Sequence, residues 1–336
     1  MKNRFLQLVI VLSIFVWNAK AQNLITVQND GESEFFTNLD SAIVHALDGD
    51  TIYIPGGCYN PNIPIAKRLH LVGAGHHPDS ANITDRTVFN TIIFDAGSDF
   101  GSITGIYFSD NFYCNEEIEG VTVSRCRIYT LRPWNYNDES TIINWAFTEN
   151  IFLSALSLSC INCLFSNSIF VNRMGVSESV LRNNIFTYQD PWGFYYCLSA
   201  SNCLIENNIF PSPFYLGSYN IYHNNVNSGI NGVSGINQGS GNFITDYPSL
   251  ESIFVNYHPQ TWGINGIYEA DFHLPPDSPF KNAGTDGTDI GIYGGTFPWK
   301  DGSVPFNPHF QSVIIPGATD QNGNLNVNIK VAAQDN

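Results

Sequence analysis

One short phrase, repeated through the middle of the chain, fixes most of what it can fold into. Asn150-Ile151-Phe152 returns as Ser168-Ile169-Phe170, Asn184-Ile185-Phe186 and Asn208-Ile209-Phe210, with Asn225-Val226 as a weaker copy. A polar residue precedes each copy (Glu149, Asn167, Asn183, Asn207, Asn224), and three positions before it stands Ala146, Leu164, Val180, Leu204 or Ile221. Successive Ile or Val positions are 18, 16, 24 and 17 residues apart. An irregular period of about 20 residues marks a solenoid whose coils carry loop insertions.

The residue types select an all-β solenoid, a parallel β-helix. No Leu-x-x-Leu-x-Leu frame occurs, and no helix fits between the repeats. Asn tolerates the left-handed backbone region better than other non-glycine residues, so one Asn can turn a strand sharply into the next face. Stacked from coil to coil, Asn side chains can bond to one another in a ladder. The following Ile and Phe start a strand and point alternately in and out. A single coil cannot bury its apolar face alone, so neighbouring coils stabilise one another.

Outside the repeats the pattern loosens. Leu39, Ala42, Ile43, Ala46 and Leu47 share one helical face, with Thr37 or Asn38 as N-cap and Asp48-Gly49-Asp50 as the stop. This short helix feeds a strand, Thr51 to Ile54, and is placed to cover the open end of the solenoid. Ile103 to Phe108 and Ile118 to Ile128 read as earlier coils, with Cys126 where later coils have Asn. Residues 227–265 read as looser coils, Asp271 to Leu274 as a final strand, and Leu325 to Val331 as a strand in the tail. The expected division is a leader over 1–21, a β-helix over 22–296 and a tail or cap over 297–336.

The stretch Asp48-Gly49-Asp50-Thr51-Ile52-Tyr53-Ile54-Pro55-Gly56-Gly57-Cys58-Tyr59 resembles the opening of pectin-lyase-like right-handed parallel β-helix proteins. The Asn-Ile-Phe repeats resemble their central coils, and Phe272 to Gly295 resembles the closing coil of secreted bacterial members. The resemblance implies a right-handed solenoid. It does not imply one activity, because this fold hosts lyases, hydrolases, binders and adhesins.

Lys2 and Arg4, an apolar run from Phe5 to Val16, and Ala19-Lys20-Ala21 before Gln22 have the form of a cleaved export signal. Its removal leaves 11 basic and 30 acidic residues, a net charge of −19. No later segment is apolar enough to span a membrane. Such an acidic surface argues against nucleic acid and anionic lipid as partners. It leaves a neutral polysaccharide or cell-surface glycan, or an acidic one bridged by Ca²⁺. The expected location is extracellular or at the cell surface, with the periplasm as the alternative.

Export permits disulfides among the seven cysteines, but an odd number leaves at least one unpaired within the chain. Cys160-x-x-Cys163 lacks the second pair of a zinc motif, and strand parity puts the two on opposite faces. These cysteines therefore read as small buried hydrophobes.

Two insertions carry the candidate glycan contacts. In Arg132 to Glu139, Trp134 and Tyr136 offer rings for sugar stacking, and Asp138 and Glu139 offer carboxylates. In Tyr188 to Tyr196, Trp192 and Tyr195 offer rings and Asp190 a carboxylate. A hydrolase needs two such carboxylates facing one bond. A lyase needs a base and a cation, for which Arg125 and Arg127, two apart on one strand face, are the candidates; on a solvated face they would instead pair with Glu117 or Glu119. No cofactor is implied. Ca²⁺ is the one metal considered, at Asp286 and Asp289, where a Gly-rich run favours Asx-turns instead. His76-His77, being adjacent, suits a loop better than a chelating face. The leading expectation is a secreted solenoid that contacts polysaccharide; the alternatives are a polysaccharide lyase or glycoside hydrolase, and a purely structural surface protein.

Overall fold

Each central coil carries three short strands, the last two of them joined by a two-residue turn. The computed structural model describes residues 24–79, 84–133, 141–154, 156, 159–188, 197–210, 217–227, 236–244, 250–257, 266–306 and 308–332. These form a parallel β-solenoid of about eight turns. Strands such as Ala146–Thr148, Leu164–Ser166, Val180–Arg182 and Leu204–Glu206 stack into a twelve-stranded sheet. After the turn, Ile151–Phe152, Ile169–Phe170, Ile185–Phe186 and Ile209–Phe210 stack into a ten-stranded sheet.

The two polar turn residues divide the work. The first adopts the left-handed region, with φ of 56° at Glu149, 47° at Asn167, 57° at Asn183, 56° at Asn207 and 51° at Asn224. The second buries its side chain and builds the ladder. Asn208 Oδ1 accepts from both the backbone N and Nδ2 of Asn184, each at 2.9 Å, and Asn225 Oδ1 does the same for Asn208 at 2.9 and 3.0 Å. Where Ser168 replaces Asn, its Oγ accepts from Asn150 N at 3.1 Å and donates to Ser166 O at 2.8 Å. Cys126 occupies this position one coil earlier, as the sequence frame placed it, and its backbone N donates to Asn150 Oδ1 at 2.9 Å.

A second turn row, at the other end of each twelve-sheet strand, was not read from the sequence. Asn144, Asn162, Glu178, Asn202 and Tyr219 take positive φ there. The residues after four of them form another ladder: Cys163 N donates to Ser179 Oγ, Cys203 N to Asn220 Oδ1, and Asn220 N to Asn237 Oδ1. Cys163 and Cys203 point their thiols at the carbonyls of Ile161 and Ser201, the bond that Ser179 makes to Ser177. Six of the seven cysteines are buried, as expected. The parity argument for Cys160 and Cys163 fails, however. The left-handed Asn162 between them rotates the chain, and both free thiols lie inside the solenoid within hydrogen-bonding reach of each other. That hydrogen bond, with burial, holds Cys160 well above the ordinary thiol range.

The phenylalanines of the repeat point inward and stack at the coil repeat. Ring centroids of Phe152, Phe170, Phe186 and Phe210 are spaced 4.8, 4.8 and 4.7 Å, matching the strand spacing of about 4.8 Å. The isoleucines point outward yet are also buried. Ile151, Ile169, Ile185 and Ile209 form a second core with Phe254, Phe272, Phe280, Ile290 and Ile292.

That second core shows that the closing-coil expectation does not hold. Asp271 makes only an isolated bridge to Asn256 and opens no strand. Residues 283–305 instead run back over the turn row as a strap, against the order of the coils. Asn224 Nδ2 donates to Ala283 O, and Asn207 Oδ1 accepts from Thr285 N. Asn183 Nδ2 then donates to Gly291 O, and Asn167 Nδ2 to Ile292 O. Further back, Glu149 Oε2 accepts from Lys300 N, and Arg125 donates to Val304 O. At Gly105 the strap passes close enough to require glycine: an added Cβ would lie 2.3 Å from Pro305 Cγ. The strap thus crosses the sequence boundary drawn at 296/297.

At the opposite end, β1 (Ile25–Asn29) pairs antiparallel with both β2 (Glu32–Phe36) and β3 (Thr51–Ile54). Helix α1 (Leu39–His45) is capped by Asn38 Oδ1, which accepts from Ser41 N at 3.0 Å. Leu39, Ala42 and Ile43 are buried. The helix stops at Ala46, whose ψ of 141° is extended, so Leu47 leaves the predicted apolar face and is exposed. In the tail, Asn328–Ala332 pairs antiparallel with His309–Ile314, a hairpin where one strand was expected.

Candidate functional site

The outer face of the twelve-stranded sheet carries two columns of side chains set by strand register. Thr51, His70, Ser102 and Thr122 align in one column. Tyr53, Val72, Thr104, Ser124 and Thr148 align in the other. The residues between the columns, Ile52, Leu71, Ile103, Val123 and Phe147, point into the core. Parity makes this arrangement: in a short strand whose middle residue is buried, both flanking residues face out.

These columns floor an open groove of about 490 Å³, which Phe297 of the strap and Phe306 just beyond it also line. Neighbouring rungs are already coupled, with His70 Nδ1 2.8 Å from Ser102 Oγ and Ser124 Oγ donating to Thr104 Oγ1 at 3.1 Å. One end is closed by Arg125 and Glu149, whose side chains are 2% and 7% exposed and meet at 3.1 Å. Burial pushes the Glu149 carboxyl above its usual range, against the pull of Arg125. Among the described residues, Arg125 and Glu149 are the only Asp, Glu, Lys or Arg side chains lining the groove, and their charges cancel.

The two candidate arginines are separated by the fold. Arg125 sits in the turn at φ 49°, whereas Arg127 begins the next strand, Arg127–Pro133. The sequence treated them as neighbours on one strand face; the left-handed turn between them removes that parity. Neither lies on a solvated face, since both are buried. Arg125 pairs with Glu149 rather than Glu117 or Glu119, and Glu119 accepts from Asn144 Nδ2. Arg127 lies over the rings of Tyr107 and Tyr268, at 4.9 and 4.6 Å.

Asp286 Oδ1 accepts from the backbone N and Oγ1 of Thr288, an Asx-turn. Asp289 accepts from Asn282 N and Lys281 Nζ. His76 is buried with Nδ1 2.9 Å from Tyr268 Oη, and burial, then the Arg127 charge, holds it well below the usual histidine range. Trp134, Tyr136, Asp138, Glu139, Asp190, Trp192 and Tyr195 lie outside the described residues.

Sequence reasoning placed the site on the insertions and missed the groove. Its signal was present in triplets such as Thr122-Val123-Ser124, in which hydroxyls flank an apolar centre. Only the register shows that several such triplets align.

Fold and groove together define the class: a parallel β-solenoid with an open, hydroxyl-lined channel along one sheet, closed at one end by an ion pair. No family model matches the chain, and no curated protein matches it in sequence.

Proposed function

We propose that the protein is an exported right-handed β-helix of the pectin-lyase-like kind that holds a neutral polysaccharide along the groove. The observation that carries this reading is the pair of hydroxyl-rich columns beside Phe297 and Phe306. Rungs about 4.8 Å apart are close to the length of one hexose in an extended chain, so each sugar meets at least one fresh polar side chain. The aromatic lining supplies apolar cover for ring faces. Cancelled charge at Arg125 and Glu149 favours an uncharged ligand over a polyuronate.

Binding is favoured over cleavage. A glycoside hydrolase needs two carboxylates across the bond, and Glu149, the one carboxylate among the groove-lining residues, is tied to Arg125 and Lys300 N. Trp134 and Trp192 remain candidate contacts from the insertions.

Affinity electrophoresis in gels containing neutral polysaccharides tests the reading. Retardation should be lost in a Thr122→Val/Thr148→Val/Phe297→Ala variant. It should persist in Arg182→Ala, which alters the same sheet beyond the groove. Retention that survives the groove variant but disappears in Trp134→Ala/Trp192→Ala would move the contact to the insertions and refute the groove. Absence of retention on every glycan would refute binding altogether.

A further inference from the structure

A second cleft, of about 250 Å³, lies where the strap crosses Ile151 and Ile169 of the ten-stranded sheet. Its walls include Tyr268, Tyr293 and Trp299, with the carboxylates of Asp271 and Asp301 at the surface. Both carboxylates are held in place. Tyr293 Oη donates to Asp301 Oδ1 at 2.7 Å, and Asp271 Oδ1 accepts from His273 N at 3.0 Å with His273 Nδ1 at 2.7 Å. The His273 and Tyr293 rings stack with centroids 3.8 Å apart, which locks the wall between the two acids.

We propose that this cleft binds a small organic ammonium, the group carried by an amino sugar or a lysine side chain. Among the described residues, two acids line it and no Lys or Arg does. Trp299 adds attraction for a cation through its ring face, whereas Tyr268 already holds Arg127 over its ring and Tyr293 stacks on His273. The whole chain is acidic, at net −16, which raises the local concentration of cations. His77, also in the wall, does not offset the acids, because burial lowers its proton affinity. A bare metal ion is a poorer fit: among the described residues no three His, Cys, Asp or Glu side chains converge to hold one. The volume suits one ring or one side chain and not a polymer segment.

The site is independent of the groove. Phe297 and Phe306 face the groove, whereas Trp299 and Asp301 face the cleft. Calorimetric titration of the full chain at low salt, with glucosamine and with Nα-acetyl-lysine amide, tests it. Each has a neutral control, N-acetylglucosamine and Nα,Nε-diacetyl-lysine amide. At least one amine should bind at least about tenfold tighter than its control, and the stronger of the two names the source. Asp271→Asn and Asp301→Asn should each weaken the amine about three- to tenfold, the worth of one partly exposed ion pair. Both substitutions keep an oxygen for the existing donors, so the unfolding midpoint should hold. Added salt should weaken the amine and not the control. The groove variant above should leave amine affinity unchanged. Equal binding of amines and controls, absence of binding by either amine, or full affinity in the Asp271→Asn/Asp301→Asn double variant would overturn the proposal.

Discussion

Replacing Asn208 by leucine is the most direct probe of the interior ladder. Asn208 is fully buried. Its Oδ1 is the acceptor for the Asn184 backbone N and for Asn184 Nδ2, and its Nδ2 donates to Leu181 O, Glu206 O and Asn225 Oδ1. Leucine fills the same space and makes none of these bonds. The Asn184 N–H is left buried without its acceptor, at about 1–3 kcal/mol, and weaker losses follow at the other contacts. Added apolar burial returns part of this, leaving a net cost of about 3 kcal/mol for Asn208→Leu. Serine makes the sharper comparison. Ser168 shows that a hydroxyl at this position accepts from the previous coil and donates two residues back. Asn208→Ser should therefore cost only about 1 kcal/mol by the same reckoning. A solenoid need not unfold in one step, so hydrogen exchange at Asn184, Asn208 and Asn225 should accompany the urea midpoints. Both should rank wild type above serine above leucine. Equal midpoints for serine and leucine, or unchanged protection at Asn184 in the leucine variant, would refute the ladder as the source of stability.

Three further outcomes are expected. Arg125→Met should cost about 3–5 kcal/mol by stranding buried Glu149 and freeing Val304 O, and Arg125→Met/Glu149→Leu should recover part of it in the same melts; a double variant no more stable than the single would contradict this. His76, depressed when folded, favours the native state fully above the ordinary histidine pKa of about 6.5. That stability should be lost as pH falls, by up to about 1.4 kcal/mol per pH unit, and His76→Asn should reduce the slope of stability against pH by one proton's worth. In reduced protein at mildly alkaline pH, a thiol reagent should modify Cys58 quickly and the other six cysteines only on unfolding, because burial pushes Cys126 and Cys197 up to about 12; rapid reaction of a second thiol in the native protein would be inconsistent with the buried placement.

The parts of the fold legible in the sequence were those set by local chemistry. Asn-Ile-Phe announces a turn, a ladder rung and a strand in four or five residues, and Asn38 announces a helix start. The second turn row was hidden because its ladder positions change residue type between coils, from Cys163 to Ser179, back to Cys203 and on to Asn220. Side-chain parity failed at Arg125 and at Cys160 for one reason: a left-handed residue resets the face, and parity holds only within an unbroken strand. The groove and the strap were illegible because each depends on which coil lies beside which. Local patterning showed that Asn183 must turn the chain, and gave no sign that its amide would reach Gly291.

Tandem arrays tend to gain and lose units over evolution, since each unit needs only its neighbours. Here the return segment works as a ruler. Its carbonyls and amides are matched to particular corners, from Asn224 back to Arg125. One winding inserted between Asn167 and Asn207 would shift every later match out of alignment, however well the new winding itself fitted. The number of windings is therefore fixed by the length of the piece that lies across them.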